Sequence, residues 1–407
     1  MKKNKFDDYI LPFVVVFTLF FYPVVGIINF YNQSIDNVYS IYYRAAVVFL
    51  NFVLLAFYGR KKAIDTSTFW ALNAFWVYYI IKLIVDIYMY GLIPYMKNGS
   101  NSGLYYIEFA VGLCFLPMLS FSKQGEKLKS EKLQEYSYFT ISAINIAVFV
   151  ALISIIGTNI RYYYTLRVAL ASSYDDANYI NPIMIGEFGA YALILLIYKK
   201  GKNVFDIVVG FISLSLLLIA ASRGPFISFI ITLTLVFFSR QKQKSRQFSV
   251  VKIILFVAIL LIIINQGFNS DFFLFSRLAN YQAGEAREVI FSEAIKQALE
   301  NWFLGSHYYI VSMDAYSHNL FLDIFMSTGL IGLSLMLFVF YKVIRQMFKS
   351  KFASFLSAFV LFKLLESQTS GYVFALIDFW PLLVLFMRQV SIENIQDSSE
   401  YELSVQP

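Results

Sequence analysis

The chain has 407 residues, 59% of them hydrophobic and 14% charged, with a mean hydropathy of +0.63 and a formal charge of +7. This balance excludes an ordinary soluble domain and predicts an all-α, polytopic membrane protein. The single cysteine, Cys114, lies in an apolar run, so it offers no intramolecular disulfide and packing is its expected role.

In chain order, the N-terminal MKKNKFDDYI leads into an apolar run of about 20 residues, long enough to span and not followed by a small-residue cleavage pattern. It reads as a retained first helix. Runs of spanning length begin near Ile10, Ser40, Phe69, Leu104, Tyr136, Pro182, Val204, Pro225, Ser249, Ser317, Phe352 and Tyr372, a bundle of about 12 transmembrane helices in one integral membrane domain over 1–407. Alternate loops carry the basic clusters: Arg60 to Lys62, Lys123 to Lys132, Lys199 to Lys202, Arg240 to Arg246 and Lys342 to Lys351. With the N-terminal lysines they mark the cytoplasmic side, which puts both termini and a tail over 391–407 in the cytoplasm. The charge thus sets topology, and no nucleic-acid partner is expected. The opposite loops hold few cations: Lys97, Arg161, Arg167, Arg223, Arg277, Arg287 and Lys296.

Three external features stand out. The loop 158–181 is rich in tyrosine and carries Asp175 and Asp176; it reads as an interfacial aromatic belt or as a lid over a glycan, and the paired carboxylates are a weak divalent-cation signal. Arg223 lies in a tight turn, AASRGPF, between two apolar runs. An arginine there either snorkels to water or meets an anion, and its planar fork matches phosphate oxygens at a helix start near Pro225. The third feature is the longest polar interruption, an external loop over 267–316 with an amphipathic helix. Val289, Ile290, Ala294, Ile295, Ala298, Leu299, Trp302 and Phe303 recur at helical spacing, opposite Glu288, Glu293, Lys296, Gln297 and Glu300. Arg287, in the first turn, is solvated or faces a headgroup. Both histidines, His307 and His318, lie beyond this helix, and His318-Asn319 sits where the loop meets the next apolar helix. A histidine there is a polar cap or a proton acceptor at the interface. Asp323 follows five residues on, and Gly329 and Gly332 permit close helix packing.

The SRG turn, the external arginine leading an amphipathic segment, and HNLFLDIFMSTGLIGL together resemble the O-antigen polymerase and O-antigen ligase superfamily, over roughly residues 181–335. That resemblance implies an inverting, metal-independent glycosyltransferase of the C type, without cofactor, in the bacterial inner membrane. Its substrate would be an undecaprenyl-pyrophosphate-linked oligosaccharide, with a chain-length regulator as a further partner. By the same resemblance Arg223 and Arg287 handle the pyrophosphate and His318 is the essential histidine; Asn319 and Asp323, on one predicted face with His318, are the candidates to support it. The segment between Gly305 and His318 departs from the family pattern in lacking a second glycine. The expected reaction is polymerisation of lipid-linked repeat units of O-antigen or capsule. Ligation to lipid A core, flipping of a lipid-linked oligosaccharide, and a metal-dependent transferase using Asp175 and Asp176 are the competing readings.

Among the intramembrane ionisable residues, Lys82 with Asp86, Lys363 with Glu366, Glu108, Glu187 and Asp378 are expected to pair inside the bundle. Arg44 reads as a third anion contact or a snorkelling side chain.

Overall fold

The computed structural model describes residues 5–32, 38–58, 66–93, 103–124, 128, 130–158, 182–201, 203–220, 222–240 and 282–390. These residues form a multi-pass helical bundle, with only an isolated bridge between Ile310 and Ala315 in place of any strand among them. In chain order the helices are α1 (Lys5–Phe20), α2 (Tyr22–Asn32), α3 (Val38–Tyr58), α4 (Thr66–Tyr88), α5 (Gly103–Ser122), α6 (Ser130–Thr158) and α7 (Pro182–Tyr198). They continue with α8 (Val204–Ile219), α9 (Arg223–Arg240), α10 (Gln282–Glu300), α11 (Leu320–Lys349), α12 (Phe355–Ser370) and α13 (Phe379–Val390).

Among the described residues, five helices are long and apolar enough to cross a membrane, or up to 6 if the bent pair α1 and α2 is one span, and α7, α8, α9 and α13 are shorter apolar helices. The twelve-span reading is compatible with this set but not fixed by it; the run expected near Ser249 and the loop carrying Asp175 and Asp176 lie outside the described residues. Two expected spans differ in form. The first is a pair of helices bent by 61°, because Pro23 has no N–H to continue the ladder at Tyr22. The last begins at Phe379 rather than Tyr372, since 372–378 form a turn with a short 3-10 segment, Val373–Ala375.

The α12 and α13 helices are buried on nearly all sides, so their neighbours wrap around them. Lys363 on α12 lies 2.8 Å from Glu187, 3.3 Å from Glu366 and 3.5 Å from Asp378, and Tyr191 donates to Asp378 at 2.8 Å. The expected pairing of these residues is therefore one shared cluster joining α7, α12 and the turn before α13. Arg44, only 7% exposed, is 3.3 Å from Glu108 and packs over Tyr105 and Phe109 at 5.2 and 5.4 Å. It is thus a buried, paired cation rather than a snorkelling one. A π-helical stretch, Glu108–Phe115, interrupts α5 where that pair forms.

In α11 the backbone of Gly329 leaves the helix, with φ 62° and ψ −160°. Leu330 N–H donates to Trp302 C=O at 2.8 Å, and Ser306 N–H to Met326 C=O at 2.7 Å. Gly329, expected to let helices approach, instead admits a loop: 302–306 inserts its backbone into the broken helix. A Cβ on Gly329 would lie 2.4 Å from Gly305 N and Phe303 O, and φ 62° is itself glycine territory.

Candidate active site

The α10 helix does not bury the whole of its apolar side. Ala294 and Ala298 pack with Ile310 and Met326 in a small core beside α11, whereas Val289, Ile295, Leu299 and Trp302 remain exposed. Gln297, expected on the polar face, is buried: its amide donates to Tyr309 C=O at 2.8 Å and its oxygen accepts from Val311 N–H at 3.0 Å. This one side chain clamps the loop that follows.

One face of α4 holds the same loop. Tyr78 donates to Leu304 C=O at 2.5 Å and Lys82 to Gly305 C=O at 3.0 Å, one helical turn apart. A further turn on, Asp86 meets His307 Nδ1 at 2.9 Å and accepts from Tyr308 N–H at 3.0 Å. Lys82 and Asp86 thus both anchor 304–308, and His307 is fixed by that anchor. His318 has no part in that anchor and stands at the start of α11.

His318 has φ 54°, a left-handed conformation that few non-glycine residues adopt. Its neighbours hold it there. Asn319 caps α11 by accepting from Leu322 N–H at 3.0 Å, and its amide donates to Gln368 C=O at 3.0 Å. Asp323 is fully buried; one carboxylate oxygen accepts from Val373 N–H at 2.8 Å and the other is 3.5 Å from the Ser317 hydroxyl. Asn319 and Asp323 therefore fix the turn from beneath and tie it to the end of α12.

Two arginines bear on this histidine electrostatically, Arg287 directly and Arg223 through Arg287. Arg287, exposed on the first turns of α10, has its guanidinium pKa lowered by desolvation from surrounding protein and by the charge of Arg223. The half-buried His318 imidazole is lowered from its usual 6.5, first by burial and then by the charge of Arg287. Electrostatic influence thus runs from the start of α9 to the first turns of α10 and from there to the start of α11, where it favours the neutral imidazole.

The end of α12 and the residues after it, 366–374, touch both the Arg223 turn and the His318 turn. Thr369 packs on Gly224, where a Cβ would come within 2.2 Å of its hydroxyl, so the missing side chain lets α12 touch the Arg223 turn. The Tyr372 ring lies edge-on to His318, with centroids 6.5 Å apart, and stacks on Tyr316 at 4.4 Å. The buried Lys363 cluster lies directly behind, through Glu366.

A family model described as O-Antigen ligase matches residues 208–337. Over that segment the chain is similar to the O-antigen ligase and polymerase superfamily. No curated protein and no solved structure matches the chain. The matched segment contains Arg223, Arg287, His318, Asn319, Asp323 and the Gly329 break, while 366–374 lies beyond it. This second stretch escaped the sequence reading. Its one visible sign is the polar interruption SQTSG between apolar runs.

Proposed function

We propose that this protein is a polysaccharide polymerase, transferring a glycan from a polyprenyl pyrophosphate to the non-reducing end of a lipid-linked repeat unit of O-antigen or capsule. The observation that carries this reading is the electrostatic influence of Arg223, through Arg287, on a neutral-biased histidine in the segment similar to O-antigen ligase. We place α10 and the following loop at the outer face of the cytoplasmic membrane, with both termini inside, since the basic loops lie on the alternate side.

The acceptor hydroxyl attacks the anomeric carbon on the face opposite the pyrophosphate, and the sugar–oxygen bond to pyrophosphate breaks as the new glycosidic bond forms, inverting the centre. The hydroxyl proton passes to His318 and then to water. The bonding pair leaves on pyrophosphate, where Arg223 and Arg287 offset its charge without a metal. Asn319 and Asp323 keep His318 at its strained φ, and Tyr372 fixes one edge of its ring.

The acid limb of the pH profile reports this arrangement. Because burial and Arg287 lower the His318 pKa, the neutral base persists below pH 6.5 and kcat/KM falls only at more acidic pH. Arg287→Ala removes one lowering influence, so its acid limb moves upward towards 6.5. An unchanged limb in that variant means His318 is not the titrating base. For Arg223→Lys, which keeps the charge but loses the planar fork, turnover falls roughly tenfold or more, equivalent to about 1.4 kcal/mol of transition-state stabilisation. Wild-type turnover would mean that Arg223 makes no paired contact to phosphate.

Deleting the gene in its host and resolving the surface polysaccharide on a gel separates polymerase from ligase. A single repeat on its carrier, restored to a ladder by the wild-type gene, is the expected result. Long lipid-linked chains accumulating unattached would instead identify a ligase, and an unchanged ladder would exclude both.

A further inference from the structure

The α7 helix runs away from the Arg223 turn: Gly186, near its start, abuts Pro225, and Tyr198 at its end lies about 18 Å further along the helix. A cleft of about 1040 Å³ opens there among the ends of α6, α7, α8, α12 and α13. Its polar wall carries both signs of charge. Lys132 lies 2.8 Å from Glu135, while Glu131 and Lys200 are exposed at the rim. Lys199 is already engaged, 2.5 Å from the buried Asp206, which also accepts from Tyr138. The other wall is apolar and continues outward: Phe139 is 73% exposed and Phe205 47%, and beyond the cleft Val208 and Phe211 on α8 remain exposed.

A site with a mixed-charge head and an apolar flank open to the bilayer suits an amphiphile bearing both charges. A soluble anion would use neither the glutamates nor the phenylalanines. We propose that this cleft seats a zwitterionic aminophospholipid, its phosphate against Lys132 and Lys200, its primary ammonium against Glu131 and Glu135, and its acyl chains along Phe139, Phe205 and Phe211. A primary ammonium donates three hydrogen bonds to carboxylates; a quaternary choline donates none. This is a second lipid site, remote from the arginine and histidine turn and independent of the function proposed for it.

The test is native mass spectrometry of the full-length protein in detergent, titrated separately with phosphatidylethanolamine, phosphatidylcholine and phosphatidylglycerol of matched chains. The expected result is phosphatidylethanolamine bound about tenfold more tightly than phosphatidylcholine, the scale of one charge-assisted hydrogen bond. The double substitution E131Q/E135Q, at two exposed positions, abolishes that preference while leaving the melting temperature unchanged. Equal binding of the two lipids, tighter binding of phosphatidylglycerol, or a preference that survives in E131Q/E135Q would overturn the proposal.

Discussion

A His318→Asn protein is expected to reach the membrane in normal amount and to form polymer about 10²- to 10⁴-fold more slowly, the range a general base supplies. Asparagine is the informative replacement because it tolerates the left-handed conformation that His318 holds at φ 54°, whereas alanine adds backbone strain of about 1–2 kcal/mol to the loss of the ring. The amide can still hydrogen-bond an acceptor hydroxyl but cannot take its proton. Residual turnover in Asn above that in Ala therefore measures orientation, and the gap to wild type measures proton transfer. Normal turnover in His318→Asn would remove the base from the reaction.

The second large effect concerns assembly. Gly329→Ala places a methyl group within 2.4 Å of the Gly305 and Phe303 backbone at a φ that alanine resists. Neither obstacle is a flexible side chain, so 302–306 must withdraw from the break in α11, losing the hydrogen bonds of Leu330 to Trp302 and Ser306 to Met326. A loss of more than about 3 kcal/mol is expected, combining steric strain with unpaired backbone groups. It should appear as a lower melting temperature, faster protease cleavage in 301–316 and loss of polymer. Lys82 and Asp86 on α4 still offer the loop its other anchor, so the bundle itself persists. A variant as stable as wild type would mean that the glycine break is not what holds the loop.

These two positions show how far the sequence could be read. His318 and Arg223 stood out because each is a polar residue at the edge of an apolar run, and Arg287 because it is one of few cations in the loops opposite the basic ones. All three lie in the segment similar to O-antigen ligase. Their mutual placement was not visible, since it depends on partners distant in the chain: Asn319 is held by Gln368, 49 residues on, and His307 by Asp86, 221 residues back. Gly329 was noticed but given the wrong partner. A glycine spaced for helix packing and a glycine that breaks a helix look alike in sequence, and only the positive φ separates them. Gln297 misled for a related reason: amphipathic periodicity assigns faces by polarity, yet a buried backbone loop recruits a polar side chain to satisfy it. The four-residue cluster around Lys363 was partly legible, because charges in apolar runs must pair, but its assembly from three elements was not.

The most direct measurement is to reconstitute the purified protein in vesicles with a polyprenyl-pyrophosphate-linked repeat unit and follow glycan length and released polyprenyl pyrophosphate together. Longer lipid-linked glycan appearing in step with free polyprenyl pyrophosphate, in wild type but not in His318→Asn, is the result expected of a polymerase built on this site. Substrate that stays at one repeat with no pyrophosphate carrier released, or equal elongation by both proteins, would contradict it.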